Sequence, residues 1–290
     1  SIQNSRRDNR INHFQYDQSL ILYPLNDKEK KLINKKNIVP FGSLRLLLEI
    51  GKNSYWEKFE KNEEEKKIKS IVLISSLSPE FLDFFYNEIG FEKKLDEELI
   101  FDYIDYYTNK VKNLRKLRFL NFVLLLLYTL ESSKKFKIPI QIINRMEEKN
   151  KTYFKREISF FNYFDKNIKF FNFSKNEKYN FIINSKEKIF VSDISTLSRE
   201  CLSLKLRCYF FYPYVKYVEE SWFDENSIFF NKNKNKNQFI DTFEKIINMS
   251  QIDFNNNFKN LKITTYAYPP DRDKIKYFLK LTNLEMKNEI

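Results

Sequence analysis

Glycine is almost missing from this 290-residue chain, which has only Gly42, Gly51 and Gly90. They lie too far apart for a G-x-G-x-x-G dinucleotide turn or a Walker A loop, where close-set glycines let the backbone fold around a phosphate. Histidine is scarcer still: the single His13 excludes a histidine-rich metal site and argues against a Ser-His-Asp hydrolase. Two cysteines, Cys201 and Cys208, are too few for a disulfide framework or a Cys-cluster zinc site. A membrane-length apolar run is also lacking. The most apolar stretch, FLNFVLLLLYTL at 119–130, is well short of the roughly 20 residues that span a bilayer and reads as a buried helix. Residues 1–10 are polar and do not resemble a signal peptide. With reduced thiols, this points to the cytoplasm. Arg115, Lys116 and Arg118, just ahead of the apolar run, offer peripheral contact with an anionic membrane surface on its inner face.

Other residue types are abundant. Thirty Phe and eighteen Tyr bring the aromatics to 17%, and hydrophobic residues reach 42%, enough apolar surface for a packed core. Lys and Arg number 51 against 39 Asp and Glu, a net charge of +12. A basic surface attracts phosphates, anionic lipid and nucleic acid without selecting among them. The excess falls in residues spelled by AT-rich codons, so genome composition is a competing account, and no specific nucleic-acid partner is expected.

Along the chain, residues 20–23 and 37–43 read as short strand candidates, and the charge run EKFEKNEEEKKIK at 57–69 marks a domain boundary near its end. From there strand and helix patterns alternate. Strands are expected at 70–75, 138–143 (Pro139 placing the start at the sheet's rim), 168–173, 188–191 and 207–212. Helical stretches are expected at 81–88, 95–110, 114–135, 154–164, 179–184 and 195–206. The NKNKNKN run at 231–237 reads as a surface loop, followed by helices at 239–249 and 272–284. This alternation predicts an α/β fold, a Rossmann-like parallel sheet with helices on both faces. Such sheets bind ligands at the carboxyl ends of their strands.

The segment FVSDISTLSRE at 190–200 therefore stands out, because a buried strand ends there and a helix begins near Ser195. Its hydroxyls and Asp193 suit plain helix capping. They also suit a phosphate site, since free backbone N–H groups and the positive helix end need no glycine to bind an anion. Trp222 and the aromatic pairs 210–211 and 229–230 offer stacking surfaces, with core packing the simpler reading.

Residues 188–213, with the strand, the Ser/Asp-rich turn, S-T-L-x-x-E on a helix and a further strand, resemble the C-terminal-domain signature of GT-B-fold glycosyltransferases of bacterial surface polysaccharide biosynthesis. IVPFGSLR at 38–45, the strand at 70–76, IINRM at 142–146 and FKREISFF at 154–161 are similar to the family's other elements, in the expected order. The resemblance implies a nucleotide-sugar-dependent glycosyltransferase, with a nucleotide-activated sugar donor and a glycan or glycolipid acceptor such as capsule or lipopolysaccharide. It implies donor phosphate and nucleotide binding by Ser192, Ser195, Thr196, Arg145 and Glu200, the last at the ribose. No cofactor or metal is implied. Polyol-phosphate transferases of the teichoic-acid type carry a similar turn and stay open as an alternative, as does a non-catalytic nucleotide-binding scaffold. Residues 1–69 are too few for a complete N-terminal GT-B lobe and read as an arm and remnant of it. Residues 70–290 read as the nucleotide-binding domain. The catalytic base is not assigned, and His13 reads as a surface histidine.

Overall fold

The computed structural model describes residues 19–21, 38–40, 67–146, 148–171, 175–193, 195–214, 227–261 and 273. All but Asp273 of the expected helix at 272–284, together with His13, Trp222 and most of the 57–69 charge run, lies outside the described residues. Two short strands, β1 (Ser19–Ile21) and β2 (Ile38–Pro40), pair in parallel.

The main sheet has six parallel strands: β3 (Ser70–Ile74), β4 (Ile140–Ile143), β5 (Lys169–Phe171), β6 (Lys188–Ser192), β7 (Arg207–Phe211) and β8 (Phe230–Asn231), in the order β5-β4-β3-β6-β7-β8. Counted within this sheet the order is 3-2-1-4-5-6, the Rossmann arrangement, and chain direction reverses across the sheet between β3 and β6. All five residues of β3 and all five of β7 are buried, as a strand covered on both faces requires. Pro139 sits just before β4 at the rim, where its carbonyl still accepts from the Ile71 N–H at 2.9 Å.

Helices cover the sheet. After β3 come α1 (Pro79–Phe84), which continues into a π-helical turn at Phe85–Ile89, α2 (Glu97–Asp105), extended likewise by Tyr106–Lys110, and α3 (Leu114–Phe136). Then follow α4 (Lys151–Phe164), α5 (Lys175–Ile183), α6 (Thr196–Ser203), α7 (Lys236–Ile247) and α8 (Gln251–Lys259). Ser78, Asp96, Asn113, Asn235 and Ser250 each cap their helix through the side chain, while Asn150 before α4 and Ser195 before α6 do not.

The apolar run at 119–130 is the buried middle of α3, with Phe119, Leu120 and residues 122–126 all fully inside. Each such side chain contributes about 1.5–3 kcal/mol relative to exposure. Among the described residues, no helix is long and apolar enough to cross a membrane. The aromatics at 210–211 and 229–230 are core as well, with Phe210 stacked on Phe230 at 4.6 Å between ring centres.

Where glycine would ease a left-handed turn, this chain uses lysine. Lys137 ends α3 at φ 55° and Lys205 follows α6 at φ 56°, while Gly90, at φ 76°, is the one glycine with positive φ among the described residues. Expectation and structure part in three places. The run at 231–237 is not a loop throughout: Asn231 pairs in β8, and Lys236 already belongs to α7. Buried Asn231 donates to the Tyr209 hydroxyl at 2.8 Å and accepts from the Asn233 N–H at 2.7 Å, so a strand hydrogen-bonds where composition suggested a loop. The helix expected at 195–206 ends at Ser203, where the chain turns through Lys205 into β7. Helix α8 was not expected, and only Phe254 and Phe258, one turn apart, anchor it.

Candidate functional site

The switch between β3 and β6 opens at their carboxyl ends, and side chains from four elements meet there. Ser76, just beyond β3, donates its hydroxyl to Asp193 Oδ2 at 3.0 Å. Asp193 follows β6 and is fully buried, and Arg118 of α3 approaches the same carboxylate oxygen with Nε at 3.9 Å. Arg145, in the turn after β4, donates from Nη1 to the Ser76 carbonyl at 2.7 Å. Two guanidinium groups thus flank one Ser–Asp pair.

The Arg145 turn is held from beneath. Glu157, fully buried in α4, accepts from Ser75 Oγ at 2.5 Å and from the N–H groups of Arg145 at 3.1 Å and Met146 at 2.9 Å. Burial pushes this carboxyl up from its ordinary value, and those three hydrogen bonds pull it partly back. Desolvation, followed by the nearby Arg118 charge, pushes Arg145 down, yet an arginine stays cationic at any ordinary pH. Outside the cluster, Arg156 pairs with Asp83 at 2.6 Å and the Tyr153 hydroxyl donates to the other oxygen of Asp83 at 2.9 Å, pinning α4 to α1.

On the β6 side, Ser195 stands in extended conformation (φ −134°, ψ 130°) at the start of α6 and makes no side-chain capping bond. The plain capping role suggested by the sequence is therefore not the one it plays. Ser195 is half-buried and Thr196 is exposed where α6 begins, just beyond the carboxyl end of β6. Ser192 and Glu200 are placed differently. Ser192 Oγ is buried, accepting from Ser198 Oγ at 2.5 Å and donating to the Asp193 carbonyl at 3.2 Å. Glu200, expected to face a ribose, is buried and accepts from the Tyr179 hydroxyl at 2.9 Å. The structure thus brings Arg145, Ser195 and Thr196 to the open edge of the sheet, with Ser192 and Glu200 in the layer behind.

Sequence reasoning passed over Arg118, Ser76, Glu157 and Asn144 as site residues. Asn144 follows β4, beside Arg145; it is buried, and neither amide atom has a partner among the described residues. A basic residue opening the apolar helix was the one local signal for Arg118. The others become visible only when the strands are side by side.

No protein-family model matches the sequence, and no curated protein does either. Solved structures resemble it in backbone. A UDP-GlcNAc 2-epimerase from Methanocaldococcus jannaschii, solved with UDP-GlcNAc and UDP, aligns at TM-score 0.44 with 15% identity over 88% of this chain. The wall teichoic acid polymerase TagF aligns at 0.43 with 12% identity over 92%. TarM aligns at 0.39 with 14% identity, also over 92%. The chain spans 57%, 57% and 43% of those three chains. Likenesses this distant carry no functional weight, and the Rossmann assignment stands on the strand order itself.

Proposed function

We propose that the chain is a glycosyltransferase that moves a sugar from a nucleotide-activated donor to a surface glycan, its six-stranded domain being the donor-binding half of a GT-B-type enzyme. On this reading residues 1–69 belong to the opposite lobe. The observation that carries the proposal is the pairing, at one switch point, of the α6 N-terminus with an anchored arginine, Arg145 on the Ser76 carbonyl. Open α/β sheets bind nucleotides at this crevice, and a helix N-terminus there offers unpaired N–H groups and positive potential to a phosphate.

Ser195 and Thr196, with their backbone N–H groups, hold the donor phosphate in this account. As the bond to the sugar breaks, negative charge grows on the departing nucleotide, and fixed donors aimed at that charge stabilise the transition state more than the bound donor. Arg145 adds a full positive charge. Ser192 and Glu200 act from behind: the Ser198–Ser192 bond fixes the first turn of α6, and the Tyr179–Glu200 bond ties α6 to α5. The acceptor and the catalytic base belong to the opposite lobe.

Donor turnover by the full chain tests the proposal, measured as nucleotide release from UDP-sugars, CMP-sugars and CDP-activated polyols. Release from a sugar donor, lost in Arg145→Gln, is the expected result. Release from the polyol donors alone would transfer the reading to polyol-phosphate chemistry. Binding without release from any of them would make the chain a nucleotide-binding scaffold.

A further inference from the structure

We propose that the turn joining α2 to α3, residues 106–115, docks on an anionic lipid surface and sets the carboxyl edge of the sheet towards it. The docking uses no donor chemistry, so it stands or falls apart from the function proposed above.

Tyr106, Val111 and Leu114 are 45%, 46% and 52% exposed, and they lie close together in the chain. The segment is a closed turn rather than a tail. The Val111 N–H donates to the Tyr106 carbonyl at 3.3 Å, the Asn113 N–H donates to the Tyr107 carbonyl at 3.1 Å, and Lys112 turns the chain at φ 52°. Its inner side is anchored, with Tyr107 and Leu117 buried and the Tyr107 ring edge-on to Phe84 at 5.8 Å. Single exposed apolar residues are ordinary, whereas several grouped on one fixed turn mark a contact surface.

Charge says what that surface meets. Residues 106–118 hold Lys110, Lys112, Arg115, Lys116 and Arg118 and no Asp or Glu. The sequence pointed to the last three for membrane contact, and the structure sorts them differently. Lys116 turns inward to Glu88 and over the rings of Phe84 and Tyr107, and Arg118 faces Asp193. Arg115 pairs with Glu80 at 3.2 Å, but both side chains are largely in water, where such a pair is worth little. Lys110 and Lys112 are exposed, and no carboxylate pairs with either among the described residues. The nearest acid before the turn, Asp105, accepts from Asn109 at 2.6 Å. The first turn of α3 has no acidic residue, so the positive helix end adds to the same field. Cations beside an aromatic ring and two aliphatic side chains match a lipid interface, which takes apolar groups below its anionic headgroups. Nucleic acid would use the cations and the ring but leave Val111 and Leu114 in water.

The turn also sits where docking would matter. Arg118 reaches Asp193, just beyond the carboxyl end of β6, and α3 then runs back along the sheet to Phe136 before β4 begins. Leu114 is one turn ahead of Arg118, about 6 Å further out along the helix axis. The patch therefore projects from the edge that carries Arg145 and Ser195.

Vesicle co-sedimentation of the full chain tests this, with phosphatidylcholine alone and with about one-third phosphatidylglycerol added. Wild type should bind the anionic vesicles, more weakly as salt rises, and bind the neutral ones far less. Lys110→Gln with Lys112→Gln should weaken binding roughly 10- to 30-fold, each cation near an anionic surface being worth about fivefold. Leu114→Ser should weaken it several-fold with the salt dependence unchanged. The control is Lys205→Gln with Lys245→Gln. Both lysines are exposed beside Arg207 and Ile246 at the start of β7, the opposite end of the sheet, and the control should bind like wild type. Thermal melts establish that every variant folds. Absence of binding to anionic vesicles, or an equal loss in the control pair, overturns the proposal. Tighter binding of a single-stranded RNA through Lys110 and Lys112 overturns it in favour of nucleic acid. None of these results alters nucleotide release from a sugar donor in solution, so the glycosyltransferase reading is judged separately.

Discussion

The Ser76 hydroxyl donates to Asp193 Oδ2 at 3.0 Å across 117 positions of sequence, joining β3 to β6 where the order of the sheet reverses. Both residues are buried. The bond ties the carboxyl ends of the two strands together and holds the carboxylate that Arg118 approaches.

Ser76→Ala removes a hydrogen-bond donor to the buried Asp193 carboxylate. The loss in unfolding free energy is expected to be about 1–3 kcal/mol, read from urea denaturation. The Ser76 carbonyl survives the change, so Arg145 keeps its anchor. A change within the error of the measurement would mean that the bridge contributes nothing to stability.

Glu157 makes stability depend on pH in a definite sense. Burial raises its folded pKa above the unfolded value of about 4.3. The ionised carboxylate is therefore penalised in the native state. That penalty is full above the folded pKa, shrinks between the two values and is absent below the unfolded one. Wild type should gain stability relative to Glu157→Gln as pH falls from 8 towards 5, in paired denaturation curves. The reverse trend would show that hydrogen bonding to Ser75, Arg145 and Met146 outweighs burial.

Cys201 and Cys208 are buried as free thiols, and burial pushes both well above the ordinary thiol pKa. Thiolate is the reactive form, so both should resist alkylation in the native protein and react together on unfolding. Counting alkylated sites by mass spectrometry checks this. Rapid native labelling of either thiol would contradict its burial.

The asparagine–lysine run separates structural from solvated positions one residue at a time. Asn231→Ala removes the amide that donates to the buried Tyr209 hydroxyl, which keeps its bond to the Phe239 carbonyl, and takes the acceptor from the Asn233 N–H; it should cost about 1 kcal/mol. Asn237→Ala, at an exposed position of α7, should be neutral or slightly stabilising, since alanine is the better helix former. Equal melting temperatures for the two variants would return the run to a featureless loop.

These contrasts show what local pattern conveys. The run SIVLI at 70–74 is readable as a buried strand because no polar residue interrupts its apolar centre, and the sheet's parallel character follows from the alternation around it. Helix α8 was hidden because asparagine is a poor helix former, and its two phenylalanines matter only against the core they meet. At the site, resemblance picked out Arg145, Ser195 and Thr196. Arg118 lies 75 positions from Asp193, and Glu157 lies 82 from Ser75. Pairings of that kind arise from strand order, which no local window contains. Few glycines do not by themselves exclude phosphate binding: a helix begins at Ser195, and the first N–H groups of a helix have no partner within it.

The most direct test is a crystal structure of the chain soaked with UDP or CDP. The account predicts density for the diphosphate at the carboxyl edge between β3 and β6, within hydrogen-bonding distance of Arg145 and the Ser195–Thr196 helix start. Nucleotide bound elsewhere, for instance in the open hollow formed by Asn180, Phe181, Asn184 and Lys188, with the switch point empty, would contradict it.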